Sequence, residues 1–260
     1  MSTLAPVRVF ARDWVYFKRI WRAVLIGSVL QPMMYLLGVG LGVGALVDAG
    51  ADSAELLGGV SYAAFYATAV IATTAMFVCG QEALWPTMDG FTWSNAYRSM
   101  IATPIEPRDV AFGLMLHYGL RALVSTTGVV VVLLMFDETR TLGLLAAIPV
   151  GVLTGWSFAM PFAAWTATRQ TDSSFPGIIR FGIIPMFLFG GAFYPIEQLP
   201  GWLQPVAWFT PLWHGVELCR GVVLGGLGAA MAVVHVTALC VFVAGGLVAC
   251  TITFERRLRV

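Results

Sequence analysis

Six apolar runs set the possible folds of this chain of 260 residues. They cover residues 23–47, 56–80, 110–136, 142–168, 175–194 and 221–254. A helix needs about 20 apolar residues to cross the hydrocarbon core of a bilayer, and each run is long enough. The runs are continuous rather than alternating, which excludes a transmembrane β-barrel. The sequence therefore predicts an all-α integral membrane protein with six transmembrane helices in a single domain, residues 1–260.

Charged residues are scarce, and their positions predict an orientation. They make up 11% of the chain, whereas soluble proteins have roughly 25%. With six spans, the side that holds both termini carries Arg8, Arg12, Lys18, Arg19, Arg22, Arg98, Arg108, Arg169, Arg180, Arg256, Arg257 and Arg259. The other side carries only Arg140 and Arg220. By the positive-inside rule, both termini are expected in the cytoplasm. The formal net charge of +1 gives no support for a nucleic-acid partner.

Residues 1–22 have the pattern of an amphipathic helix. At 100° per residue the aromatic side chains share one stripe, formed by Phe10, Trp14, Phe17 and Trp21. Arg8, Arg12 and Arg19 fall on the opposite face. The pattern predicts a helix that lies at the membrane surface among the lipid headgroups. A simple anchor and a contact with a cytoplasmic partner both remain open as its role.

Residues 81–109 form the longest polar stretch on the expected cytoplasmic side. Trp93, Tyr97 and Met100 recur at helical spacing, which predicts a short helix that ends before Pro104. An ordinary solvated loop is the simpler interpretation. The ordered aromatic edge favours a docking element.

Residues 190–226 are rich in proline and aromatic residues and too apolar for a loop in water. Irregular backbone at membrane depth persists only where protein or a cavity surrounds it. The stretch predicts two short helices that re-enter the outer leaflet, although an aromatic belt would also concentrate Trp and Tyr there. His214, Glu217 and Arg220 share one helical face and are expected to form an ion pair at the surface.

The chain lacks the residues of several enzyme classes, so no catalytic residue is assigned. Lys18 is its one lysine and lies between Phe17 and Arg19, so no Walker A loop can form. The four cysteines show no C-x-x-C spacing and the three histidines are scattered, so neither a metal site nor any other cofactor is expected.

His117 and Arg121 are the polar candidates inside the predicted spans. They are four residues apart and so lie on one helical face. Such a pair suits a proton relay. The sequence predicts that Arg121 has no intramembrane carboxylate partner in this chain, and an arginine that lines a wet cavity or contacts a lipid phosphate is equally consistent with the sequence.

Two segments resemble the permeases of ABC-2 type exporters. One is Ala102-Thr103-Pro104-Ile105, followed by Arg108-Asp109-Val110 and Gly113, and the other runs from Phe193 to Pro200 and continues to Thr210-Pro211-Leu212 and Gly225. They are similar to the end of that family's coupling segment and to its extracellular hairpin. The likeness covers essentially the whole chain. It is greatest to the branch of the lipo-oligosaccharide (nodulation-factor) and daunorubicin-type drug exporter permeases.

The resemblance implies a homodimer of permeases with two separate ATPase subunits, which bind ATP and magnesium. It places the ATPase-docking segment at Glu82, Trp93, Tyr97, Arg98, Thr103 and Pro104. It places the outer gate at Tyr194, Pro195, Glu197, Pro200 and Trp202, and the interface helix at residues 10–21. The implied substrate is lipid-like or amphiphilic, a glycolipid or a drug. Since the coupling segment lacks the Gly-Thr-Glu of many drug-export relatives, a glycolipid is favoured.

Other transport classes remain as alternatives. A gradient-driven transporter or channel would use His117 and Arg121 for proton coupling, but the first three spans show no match to the last three, as an inverted repeat would require. A purely structural membrane subunit is a third possibility. The preference for arginine over lysine, with abundant Ala, Gly and Val, is typical of a GC-rich bacterium, so the inner membrane is the expected location.

Overall fold

The computed structural model describes residues 4–50 and 57–259, and within these ranges the chain is helical without a strand. In chain order the helices are α1 (Ala5–Asp48), α2 (Tyr62–Trp93), α3 (Ala96–Ile101), α4 (Pro107–Leu133), α5 (Gly143–Thr166), α6 (Phe175–Phe189), α7 (Gln204–Trp208), α8 (Pro211–Leu224) and α9 (Ala229–Leu258). Five of these, α1, α2, α4, α5 and α9, are long and apolar enough to cross a membrane. The expected all-α membrane fold is confirmed at this level. Residue 56, where the second predicted span begins, lies outside the described residues.

Helix α6 differs from the span predicted for residues 175–194. It has 15 residues and rises only about 22 Å at 1.5 Å per residue. A π-helical turn at Ile179–Ile183 precedes Pro185, and the helix ends before Gly190 and Gly191, whose φ is 78°. The proline and the glycine pair interrupt regular helix within an apolar run.

Helix α1 is continuous, without a break between the predicted interface helix and the first span. Residues 7–26 contain neither proline nor glycine, so nothing in the sequence ends the helix at residue 22. Irregularity appears only after Pro32, where Leu36–Val43 widen into π-helix. A proline removes one backbone hydrogen bond, and a π-helical stretch nearby accommodates the mismatch.

Helix α2 is central, and α1 and α9 are peripheral. In the most apolar stretch of each helix, 78% of residues are buried in α2 but only 22% in α1 and 28% in α9. Helix α1 packs along α4, and α9 packs along α5. Small residues permit close helix crossings: a Cβ added at Gly128 of α4 would lie 2.9 Å from the backbone oxygen of Ser28 in α1.

Both described chain ends lie at one end of the bundle, named here the terminal end. Pro6 near the start of α1 contacts Gly113 near the start of α4, because a Cβ at Gly113 would be 2.9 Å from the Pro6 carbonyl oxygen. Phe254 near the end of α9 packs against Phe91, with ring centroids 4.7 Å apart. The other end, named the opposite end, holds residues 134–142 and 190–228, joined where the Thr141 hydroxyl donates to the Val223 carbonyl at 3.0 Å.

Candidate functional site at the terminal end

An ion-pair cluster joins α2 to α4 inside the bundle. Glu82 Oε1 lies 2.6 Å from Arg121 Nη2, and Glu82 Oε2 lies 3.4 Å from His117 Nε2. The side chains of Glu82 and Arg121 are 16% and 15% exposed. The statement that Arg121 lacks a carboxylate partner is therefore wrong.

The length of α2 is the reason why the position of Glu82 predicted from the sequence is wrong. The apolar run ends at residue 80 in the sequence, which predicts that Glu82 belongs to the loop that follows. The helix in fact continues to Trp93, which carries Glu82 inward to face α4. The expectation that His117 and Arg121 share one face is confirmed, since both contact the same carboxylate.

The sequence does not predict a hydroxyl pair and a carboxylate that lie beside this cluster. The hydroxyls of Thr87 and Tyr118 lie 2.5 Å apart and link α2 to α4 a second time. Asp13 of α1 is buried, with Oδ1 3.2 Å from Arg12, and its Oδ2 has no hydrogen-bond partner among the described residues. Asp13 could have been found, because it continues a buried ridge of Ala5, Val9 and Phe17 at intervals of four.

These groups line a cavity of about 640 Å³ between α1, α2 and α4. Its ionisable lining side chains are Arg12, Asp13, Arg19, Glu82, Asp89 and His117. Trp85, Trp93, Tyr97 and Tyr118 supply aromatic surface. A concave site with charges of both signs and several rings suits a polar group attached to an apolar body.

The aromatic stripe of α1 is only partly buried. Phe10, Trp14 and Phe17 stack in sequence, with centroid distances of 6.3 and 5.5 Å. Phe17 is buried, whereas Trp14 and Trp21 are exposed. The buried ridge of α1 includes Ala5, Val9, Asp13 and Phe17, so Phe17 faces the bundle whereas Trp14 and Trp21 point away from it.

The segment from residue 94 to residue 106 connects α2 to α4 at the terminal end. The predicted short helix is present as α3, which ends at Ile101, before Pro104. Asn95 has a φ of 50°, a left-handed conformation that separates α3 from α2. Pro107 is the first residue of α4, a position that proline favours, and Glu106 and Asp109 form a capping box there. Both features give α4 a well-defined start.

The predicted docking residues divide into exposed and buried groups. Trp93, Arg98, Thr103 and Pro104 are exposed. Tyr97 is buried between Phe91 and Phe254, with ring centroids 4.8 and 6.0 Å away. Burial raises the pKa of Tyr97 above its ordinary value, so its hydroxyl stays protonated. Tyr97 thus anchors α3 to α2 and α9 instead of forming part of the exposed surface.

The opposite end contains the proline-rich segment in folded form. Two short helices, α7 and α8, are present, and Pro211 starts α8 with its N-cap Thr210 accepting from the Trp213 amide. Trp202 is 75% exposed and Glu197 and Pro200 are also exposed, whereas Tyr194 and Pro195 are half-buried. The segment therefore presents a mixed polar and aromatic surface.

The three polar residues of α8 do not form one surface cluster. Arg220 is only 14% exposed, pairs with Glu217 at 2.5 Å, donates to the Gly191 carbonyl at 2.9 Å, and lies 3.7 Å from the Phe65 ring centre. His214 instead contacts His235 of α9, Nδ1 to Nδ1 at 2.8 Å. The ion pair is confirmed, but its expected surface location is wrong, because Arg220 ties α8 to α2 and to residue 191.

The described residues contain no group of three or more His, Cys, Asp or Glu side chains that could hold a metal ion. The thiols of Cys79, Cys219 and Cys250 are buried and that of Cys240 is exposed, and all four are free. The polar cavity and the exposed connecting segment are the features of the terminal end that bring together the residues predicted from the sequence.

Comparison with known proteins gives a consistent family relationship. Residues 7–224 match the ABC-2 type transporter family. The chain is 31% identical to nodulation protein J of Rhizobium leguminosarum bv. viciae over 96% of its length and 93% of the relative. It is also 31% identical to nodulation protein J of Rhizobium leguminosarum bv. trifolii over 99% of its length and 95% of the relative. Nodulation protein J of Rhizobium meliloti (strain 1021) is 29% identical over 97% and 93%.

Proposed function

The chain belongs to the ABC-2 type transporter family, and we propose that it is the permease of an ATP-driven exporter whose ATPase is a separate subunit. The single observation that carries the proposal is the exposed connecting segment at the terminal end, anchored to the bundle by a buried aromatic residue. The chain carries no Walker A loop. In this proposal, the ATPase subunit acts on this segment from the cytoplasm.

The contacts of the segment supply a mechanical path into the bundle. Tyr97 of α3 packs on Phe91 of α2 and Phe254 of α9. Arg257 of α9 donates to the Thr166 carbonyl of α5 and to the Thr92 hydroxyl of α2, each at 3.0 Å. A force on α3 therefore reaches α2, α5 and α9 together, as a rigid-body movement requires.

We place a sixth span at α6 and both termini in the cytoplasm. Phe175 at its start packs on Trp85, with ring centroids 5.5 Å apart, and Phe193 just beyond its end stacks on Tyr66 at 5.3 Å. Tyr66 and Trp85 are separated by about 28 Å along α2 at 1.5 Å per residue. This path matches a bilayer core of about 30 Å. The terminal end then faces the cytoplasm, in line with its many arginines.

The complete transporter is proposed to contain two copies of the chain and two ATPase subunits in the bacterial inner membrane. A long exposed apolar surface on α1 supports a homodimer, because Ile26, Leu30 and Met34 are each more than half exposed. Membrane lipid and a second copy of the chain compete to cover this surface, because both offer it apolar contacts.

The proposed substrate is a lipid-like amphiphile, with a glycolipid preferred over a drug. The mixed-charge cavity between α1, α2 and α4 supports an approach of the polar part from the terminal end. The proline-rich segment is the proposed outer gate, which re-enters the outer leaflet beside the exit path. Tyr194, Pro195, Glu197, Pro200 and Trp202 lie on it.

The proton-coupled alternative receives little support from the geometry. Both oxygens of Glu82 are engaged, one by Arg121 and the other by His117. At the opposite end, Glu217 and Arg220 pair with each other, and Arg220 also donates to the Gly191 carbonyl. A buried cluster held in this way is typical of a structural tie between helices.

The docking proposal is tested by replacing Trp93 with alanine. Trp93 is 55% exposed beside α3, so the change removes an interface ring without opening a cavity in the core. With the proposed partner ABC ATPase co-expressed, Trp93→Ala should lower vanadate-sensitive ATPase activity and the amount of co-purified ATPase roughly tenfold, the loss typical of an aromatic interface anchor.

Phe209→Ala is the matched control for this experiment. Phe209 is 81% exposed at the opposite end, and its replacement should leave both readouts unchanged. Equal ATPase binding and activity in the Trp93→Ala variant and the parent would remove the docking role.

A further inference from the structure

A basic pocket of about 500 Å³ lies at the terminal end, where α9 meets α3 and the end of α5. Its charged lining residues are Arg98, Arg256 and Arg257, and the rest of the lining is uncharged: Phe91, Thr92, Asn95, Ala167, Thr168, Gln170 and Thr253. None of the three arginines forms an ion pair within residues 4–50 and 57–259. The pocket thus gathers three positive charges without a carboxylate among them.

Arg257 is held in place by neutral partners. Its guanidinium donates to the Thr166 carbonyl and the Thr92 hydroxyl, each at 3.0 Å, and lies 4.2 Å from the Phe91 ring centre. These contacts fix its position but leave its charge unneutralised. Arg98 and Arg256 are exposed and line the pocket, so their guanidinium groups are free to turn toward a bound anion and pair with it.

An apolar groove of about 460 Å³ leads into this pocket along the outer surface of α5 and α9. Thr253 lines both the groove and the pocket, so the two adjoin at this residue. Beyond Thr253 the groove is lined by Pro161, Ala164, Trp165, Val241, Phe242, Gly245, Gly246 and Ala249. Its wall is apolar apart from the Trp165 indole nitrogen and backbone atoms.

Two adjacent glycines of α9 shape the groove. Gly246 lets α9 approach α5, because a Cβ there would lie 2.5 Å from Pro161 Cδ. Gly245 faces open space, with no atom within 4 Å of an added Cβ. From Val241 to Thr253 the helix rises about 18 Å, close to the thickness of one leaflet of a bilayer core of about 30 Å.

We propose that this pocket and groove bind one anionic phospholipid of the leaflet at the terminal end. The phosphate is bound by Arg98, Arg256 and Arg257, and an acyl chain lies in the groove. Arginine pairs well with phosphate, and basic pockets between transmembrane helices bind acidic headgroups on the cytoplasmic side. An acidic side chain of a protein partner would explain the arginines but would leave the groove unexplained.

A bound lipid would also affect the proposed transport cycle. Arg98 belongs to α3, whereas Arg256 and Arg257 belong to α9, so one phosphate bridges the two elements. The lipid would stabilise α3 against α9 and make coupling depend on anionic lipid. This site is additional to the exporter function and does not depend on it.

The test is lipid binding to the purified chain in detergent, measured by native mass spectrometry. The probes are dioleoylphosphatidylglycerol, dioleoylphosphatidylcholine and inorganic phosphate. Phosphatidylglycerol should bind at least tenfold more tightly than phosphatidylcholine. The double variant Arg98→Gln/Arg256→Gln should lose roughly tenfold in affinity for phosphatidylglycerol, since a charged hydrogen bond contributes about that factor or more.

The groove is tested separately with Gly245→Leu, whose side chain occupies the groove without a clash in the bundle. It should weaken binding of phosphatidylglycerol by a similar factor. Two controls lie just outside the site: Arg259→Gln at the same end of α9, and Ala244→Leu on its exposed surface. Both should bind the lipid like the parent. Size-exclusion chromatography checks that every variant is folded.

Three results would overturn the proposal. The first is equal affinity for the two lipids, and the second is unchanged binding of phosphatidylglycerol by both site variants. The third is inorganic phosphate that competes as strongly as the lipid, because the groove would then contribute nothing. Transport is not measured, so none of these results bears on the exporter proposal.

Discussion

Glu82 is the residue that holds the ion-pair cluster between α2 and α4 together. Its carboxylate compensates the charge of Arg121 and contacts His117, and both partners lie on α4. The sequence could predict that His117 and Arg121 share a face, because four residues make about one helical turn. It could not supply Glu82, which is 35 residues from His117, since pairing between helices is set by packing.

Replacement of Glu82 by glutamine should destabilise the protein by about 3 kcal/mol. The change leaves Arg121 largely buried without a counter-charge, which costs roughly 3–5 kcal/mol in known cases. Denaturant unfolding in detergent measures the loss. The added change Arg121→Gln should restore part of the stability, because it removes the uncompensated charge.

Glu255→Gln is the matched control for this prediction. Glu255 pairs with Arg259 at 3.4 Å, but both side chains are exposed, so its loss should cost less than about 1 kcal/mol. Similar losses for Glu82→Gln and Glu255→Gln would show that the buried cluster has no special role in stability.

At the scale of elements, the apolar runs locate most helices well. Residues 110–136 and 142–168 were expected as spans, and α4 and α5 occupy Pro107–Leu133 and Gly143–Thr166. The predicted helix boundaries are wrong where a charged residue or the length of one span marks the end of a run. Helix α2 continues past Glu82 because that charge is paired, and α1 continues through residue 22 because no helix-breaking residue is there. A hydropathy average counts each charge separately and does not take into account a partner on another helix.

The crossing of α1 with α4 gives a prediction about packing. A Cβ at Gly128 would lie 2.9 Å from the backbone oxygen of Ser28, so Gly128→Ala must push the two helices apart. The variant should lose about 1–3 kcal/mol of unfolding free energy, as overpacked interiors do. Thermal unfolding in detergent, followed by tryptophan fluorescence, measures the change.

Gly27→Ala on α1 serves as the comparison. Nothing lies within 4 Å of a Cβ at Gly27, and alanine favours a helix by about 0.5–1 kcal/mol over glycine. Its stability should stay the same or rise. Equal destabilisation by the two substitutions would mean that α1 and α4 do not cross closely at Gly128.

At the scale of the whole molecule, the terminal end brings together the features on which the proposed ATPase docking depends. Both described chain ends, the exposed segment around α3 and the polar cavity lie there. The missing Walker A lysine and the family relationship agree with an energy source in another polypeptide. The sequence motifs predict a separate ATPase subunit. They do not predict that Tyr97 is buried or that Arg257 links α9 to α5, because both depend on how the helices pack.

Reconstitution into liposomes tests the central claim most directly. The chain is inserted with its co-expressed ATPase, and movement of a fluorescent glycolipid between leaflets is followed with ATP supplied at the face that carries the ATPase. Movement should require both ATP and the ATPase subunit and should stop with vanadate. Movement driven by a pH gradient through the chain alone, without the ATPase, would contradict the account and favour a proton-coupled transporter.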